Sequence, residues 1–114
     1  MGKTKNDILQ GTLALLVLKT LRAGAMHGWG ITLHIHEISN QVLRVEEGSL
    51  YPALHRMEQE GWVAAEWRVS ENNRRARYYR LTAAGRKQLA REEENWGKLT
   101  EAVGRVLSFE PGKA

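Results

Sequence analysis

The sequence predicts a mainly α-helical chain with a small β-hairpin and a long C-terminal helix, and three observations carry that expectation. Leu50, Ala53, Leu54 and Met57 recur at i, i+3, i+4 and i+7, the spacing of a helix with one buried face. Val63, Ala65, Trp67 and Val69 alternate, as do Arg77, Tyr79 and Leu81, so two half-buried strands flank the turn-forming run Ser70-Glu71-Asn72-Asn73. Between Ala83 and Leu107, Leu89, Trp96 and Val103 fall in one heptad column and Leu99 and Val106 in the next, with Glu92 interrupting the second.

Taken in order, Met1 to Asn6 reads as a short basic arm carrying Lys3 and Lys5. A first helix follows from about Asp7 to Ala23, with Asn6 or Asp7 as N-cap and Gly24 ending it. It is apolar almost all round between Leu13 and Leu18, so one flank should face its own domain and the other, including Leu13 and Leu16, a partner subunit. A second helix is expected from about Gly28 to Ser39. Gln41 to Val45 then reads as extended and able to add a strand to the hairpin. The third helix begins near Glu46 to Ser49; with Ser49 as N-cap, Pro52 falls in the first turn, where its missing N–H removes no helical bond. The last helix, about 25 residues at 1.5 Å each, reaches roughly 37 Å, beyond the edge of a small domain. Residues 1–82 thus form one domain, 83–107 a projecting dimerisation helix and 108–114 a tail.

At 114 residues the chain has room for one core. Its net charge of +4 favours a polyanionic partner. There is no cysteine, which excludes disulfides and thiolate metal sites and suits a reducing cytoplasm. The apolar run Leu13 to Leu18 is far short of the roughly 20 residues that span a bilayer, and Lys19 and Arg22 follow it at once where a signal peptide would be cleaved. The expectation is a soluble cytoplasmic protein without membrane contact.

Opposite its apolar stripe the third helix presents Ser49, Tyr51, Pro52, His55, Arg56 and Gln59, groups able to meet phosphates, base edges or a groove wall. The hairpin adds Arg68, Arg74, Arg75, Arg77 and Arg80 against Glu71, and a planar guanidinium donates two parallel bonds to phosphate. A reading helix followed by a basic hairpin is the pattern of a winged helix-turn-helix domain. In that reading Ser49, Tyr51, His55 and Arg56 enter a major groove of double-stranded DNA, and Arg74, Arg75 and Arg77 follow the backbone or enter the minor groove. The amides of Gly28 and Trp29 offer a phosphate site at the positive end of the second helix. A winged-helix module that binds protein, or one that binds structured RNA, uses the same elements and stays open at this point.

Several spaced motifs carry a more specific resemblance. Gly48-Ser49-Leu50-Tyr51-Pro52-Ala53-Leu54, the run from Leu54 to Gly61, Arg75-Ala76-Arg77-Tyr78-Tyr79-Arg80-Leu81-Thr82 with Gly85, and His27-Gly28-Trp29-Gly30-Ile31 resemble, in order, the PadR-like transcriptional regulators. Trp29 stands where that family usually has tyrosine, and Ser49 where threonine is frequent; the indole N–H remains a donor. The resemblance runs from about Leu9 to Leu107 and implies a homodimeric repressor of the short subgroup, on an inverted-repeat operator. It also implies two-fold dimerisation through the N-terminal and C-terminal helices, here Leu13, Leu16, Leu89, Trp96, Leu99, Val103 and Val106. In some short members an aromatic in the last helix stacks on flat hydrophobic effectors, so Trp96 is either such an effector contact or plain dimer packing. Trp62 and Trp67 are assigned to domain packing, as is Trp29 unless it meets a phosphate.

An enzyme is not expected. His34 and His36 are two apart and do not share a helix face, and His27 and His55 lie on other elements without supporting carboxylates. No phosphate loop, nucleophile elbow or paired-carboxylate motif is present, and neither metal nor cofactor is expected.

Overall fold

The computed structural model describes residues 4–112, with side chains from Thr12 onward. The elements are α1 (Thr4–Arg22), β1 (Met26–His27), α2 (Gly28–Ile38), α3 (Glu47–Gln59), β2 (Val63–Val69), β3 (Arg75–Leu81) and α4 (Ala83–Leu107). The first helix starts at Thr4, so Asn6 and Asp7 lie inside it rather than capping it, and any contribution of Lys3 and Lys5 lies outside the described side chains.

The expected helix face closes the core. Leu50, Ala53, Leu54 and Met57 of α3 meet Leu13, Val17, Leu18 and Leu21 of α1 and Ile31 and Ile35 of α2, with Val63, Tyr79 and Leu81 from the sheet and Leu89 from α4. Leu18, Ile31, Leu50 and Leu54 are fully buried, each contributing about 1.5–3 kcal/mol from burial. Leu13 and Leu89, expected at a subunit interface, are instead part of this single-chain core, because α1 and α4 pack against each other within the chain. Leu16 packs partly against the same core.

The sheet has three strands in the order β1-β3-β2, all antiparallel. Its third strand is not the expected segment from Gln41 to Val45. Asn40 and Gln41 adopt positive φ of 56° and 67°, and the Gln41 N–H bonds the His36 carbonyl at 2.7 Å, so the chain turns there into α3. The pairing is made by Met26 and His27, which lie opposite Tyr79 and Tyr78. Within the hairpin the register runs from Val63 opposite Leu81 to Val69 opposite Arg75, and Asn73 at φ 60° makes the turn. Burial fades along β2 from Val63 to Val69, so the hairpin's outer half stands off the core as a wing.

Thr82 fixes the start of α4. Its hydroxyl accepts from the Gly85 N–H at 3.0 Å and donates toward the Gly61 and Trp62 carbonyls. The helix packs on α1 through Leu89 and the Lys19–Glu93 ion pair of 2.8 Å, then leaves the body; beyond Glu92 every described residue is exposed. This projection gives the molecule its 63 × 31 × 24 Å extents. Among the described residues no helix is long and apolar enough to cross a membrane.

Candidate nucleic-acid interface

Three elements converge on one face. The first is the start of α2, where the Nδ1 atom of His27 accepts the Gly30 N–H at 3.0 Å and caps the helix. The amides of Gly28 and Trp29 follow the His27 cap as the first two of the helix, at the positive end of its dipole, a setting that attracts anions. His27 is held edge-on against Tyr78 at 5.1 Å between ring centres, with Nε2 3.9 Å from the Glu71 carboxylate at the wing turn.

The second is α3. Its N-cap is Glu46, without a side-chain cap bond, and not Ser49; the Ser49 N–H already bonds the Glu46 carbonyl at 2.9 Å. Pro52 therefore sits inside the helix, where it cannot donate the usual bond to the Gly48 carbonyl. With the apolar stripe buried, Tyr51, Pro52, His55 and Arg56 are exposed and Ser49 is half-buried. Tyr51 lies across the start of α2, its ring so close to Gly28 that a β-carbon there would fall 2.8 Å from Cζ. Burial, then Glu47, then Tyr79 push the Tyr51 phenol above its ordinary value, so it stays a neutral donor at physiological pH.

The third is the wing. Arg74 and Arg75 are exposed, and the Arg75 guanidinium lies over the Trp67 ring at 4.9 Å. Trp67 and Trp29, expected in domain packing, are 57 % and 61 % exposed; Trp62, by contrast, is half-buried against the core. Trp67 belongs to the outer half of β2, past the point where the core covers the alternating face. Arg77 differs from its neighbours: its guanidinium is 2.7 Å from the Glu58 carboxylate on α3. Between the three elements lies a cleft of about 560 Å³ lined by Trp29, Tyr51, Trp67, Arg74 and Arg75 among others. Among the described residues no cluster of His, Asp or Glu is placed to hold a metal ion.

The proposed dimer and effector residues are elsewhere. Trp96, Leu99, Val103 and Val106 remain 43–74 % exposed along α4, continued by Leu107 and Phe109. No described element of this chain covers them. The structure thus splits the sequence stripe into an intramolecular end at Leu89 and an uncovered end from Trp96 onward.

A helix-turn-helix followed by a basic hairpin defines a winged helix-turn-helix protein. Residues 17–91 match the description "Transcriptional regulator PadR-like family". The chain is 34% identical over 97 residues to Transcriptional regulator Rv3488 of Mycobacterium tuberculosis, covering 85% of this chain and 87% of that protein. Among solved structures it is similar to a transcriptional regulator from Clostridium thermocellum, with 25% identity, a TM-score of 0.80 and coverage of 87% and 96% of the two chains. It is similar also to a PadR family transcriptional regulator from Eggerthella lenta, with 30% identity, a TM-score of 0.76 and coverage of 91% and 88%. The chain belongs to the PadR-like family of transcriptional regulators, a family of regulators and not of enzymes.

Proposed function

We propose that this chain works as a homodimeric, sequence-specific DNA-binding repressor on an inverted-repeat operator. The observation that carries the reading is the convergence on one face of the α2 amides, the exposed side of α3 and the exposed wing arginines Arg74 and Arg75. Ser49, Tyr51, Pro52, His55 and Arg56 meet the major groove, with His55 and Arg56 as base or phosphate donors and Tyr51 as a neutral phosphate donor. Gly28 and Trp29 hold a backbone phosphate at the start of α2, and Arg74 and Arg75 follow the backbone beside it.

The uncovered stripe from Trp96 to Val106 supplies the subunit contact, so that α4 links two reading heads at a fixed spacing. A small aromatic or hydrophobic molecule that meets Trp96 at this junction relieves repression by favouring a spacing that does not fit the operator.

The test is electrostatic. A dimer neutralising about 6–10 phosphates loses roughly 10³-fold or more in affinity between about 50 and 200 mM salt. Replacing Arg74 and Arg75 by alanine weakens operator and random DNA alike and flattens that dependence. Unchanged binding by the double variant contradicts the wing assignment.

A further inference from the structure

Arg77 is one of three wing arginines around the cleft, yet it alone among them is tied to an acid of the reading helix. Its Nη2 lies 2.7 Å from Oε2 of Glu58, which is 19 positions earlier in sequence. Both side chains are partly covered, at 40 % and 29 % exposure, so the pair is screened less than the ion pairs along α4, whose side chains are mostly exposed. The guanidinium also approaches the Tyr79 ring at 5.9 Å, and Arg77 sits opposite Trp67 in the hairpin register. By contrast Arg74 makes no side-chain ion pair among the described residues, and Arg75 is held by a ring instead of a carboxylate.

From this geometry we infer that Glu58 and Arg77 form a neutral strut that sets the angle between the recognition helix and the wing and keeps Arg77 off the DNA backbone. Glu58 is thus a positioning residue for sequence discrimination, acting through Arg77. The bridge runs between α3 and β3, the two elements that carry the base-facing and backbone-facing groups, so its length fixes how far apart those groups sit on DNA. It also removes one cation per subunit from the sequence-independent attraction. A regulator gains discrimination in this way, because counterion release strengthens every site equally.

This inference rests on the DNA-binding reading and is tested so that the two fail separately. The salt dependence of binding to random and to selected DNA is measured for wild type, Glu58→Gln, and Glu58→Gln combined with Arg77→Met, with thermal melting to verify folding. Wild-type binding that falls with salt supports the underlying reading; its absence overturns that reading and the strut with it. Glu58→Gln frees Arg77: random DNA binds roughly three-fold tighter or more, the log–log salt slope steepens by about 0.9 per subunit, and the ratio of selected to random affinity falls. The double variant has the wild type's net charge and keeps its slope. A shallower slope in the double variant shows that Arg77 already contacts phosphate in the wild type, and a Glu58→Gln slope equal to wild type shows that Arg77 is not held back. Either result overturns the strut.

Discussion

Replacing Gly28 by alanine separates the reading role of Tyr51 from the stability of the fold. The added β-carbon would lie 2.8 Å from Cζ and 2.9 Å from Cε1 of Tyr51 and closer still to its hydroxyl oxygen. An ordinary carbon contact is about 3.5 Å or more, so the ring must retreat by about 0.7 Å at least. The backbone at Gly28 does not resist the change, since its φ is not positive. Tyr51 is 43 % exposed and can swing outward, which holds the folding cost below about 1 kcal/mol, less than the roughly 1–3 kcal/mol of overpacking in a closed core. The cost appears in DNA binding. Loss of one hydrogen bond from the phenol to a charged phosphate removes about 1.5–3 kcal/mol per subunit, roughly ten-fold to a hundred-fold in affinity. Operator binding and urea unfolding of Gly28→Ala, Tyr51→Ala and the double variant measure both terms. In the Tyr51→Ala background the three atoms nearest the added methyl are gone, so the two substitutions are strongly non-additive. If Gly28→Ala costs the same affinity with and without Tyr51, the α2 backbone itself carries the effect and Tyr51 is no phosphate donor.

The contrasting glycine is Gly85, where a β-carbon meets the Trp62 carbonyl oxygen and lies 2.8 Å from Leu81 Cδ1; backbone cannot step aside, and Gly85→Ala destabilises by about 1–3 kcal/mol, lowering Tm by several degrees. A melting curve like wild type's would show that α4 can shift off the β2 entry. Between pH 10.0 and the raised Tyr51 value the native state keeps a proton that the unfolded chain has released, so stability falls as pH rises there and is unaffected by this group at lower pH. Urea midpoints at alkaline pH should therefore decline less steeply in Tyr51→Phe, and equal slopes would remove the burial argument. Leu99 and Val103 are 54 % and 46 % exposed, so Leu99→Glu with Val103→Glu leaves the domain folded while sedimentation changes from dimer to monomer. An intact chain that sediments as a monomer at tens of micromolar contradicts the subunit contact. Planar hydrophobic compounds should quench tryptophan fluorescence and lower operator affinity, with both responses lost in Trp96→Ala; a full response in that variant places the ligand elsewhere.

The hairpin and the buried face of α3 were legible because period 2 and period 3.6 act over several residues and are enforced by burial. The last helix was legible at both ends, since the Thr82 cap and the absence of proline before Leu107 are local signals. Three features were not. Met26–His27 is too short to show a period, and its pairing depends on the distant backbone of Tyr78 and Tyr79. The segment after Ser39 has strand-like residues, but positive φ at Asn40 and Gln41, with the Leu43 N–H bonded to the Ser39 hydroxyl at 2.9 Å, bends it into the turn of the helix pair. The heptad column joining Leu89 to Val103 gave no sign that α1 covers its first member and leaves the rest open. At the candidate site the residue types were readable and their assignment was not. Nothing near Arg77 in sequence distinguishes it from Arg74 and Arg75, because its partner Glu58 is brought to it by the fold. Trp67 likewise reads as a core residue from alternation alone, whereas the distance it stands from the core makes it a wall of the cleft.

The most direct measurement is selection of bound DNA from a random pool by the intact chain, followed by the stoichiometry of the enriched site. The expected product is an inverted repeat whose half-sites are centred about one helical turn apart, roughly 10 base pairs or a multiple, bound by two chains. A pool that stays random after repeated rounds, or an enriched site bound by a single chain without two-fold symmetry, would contradict it.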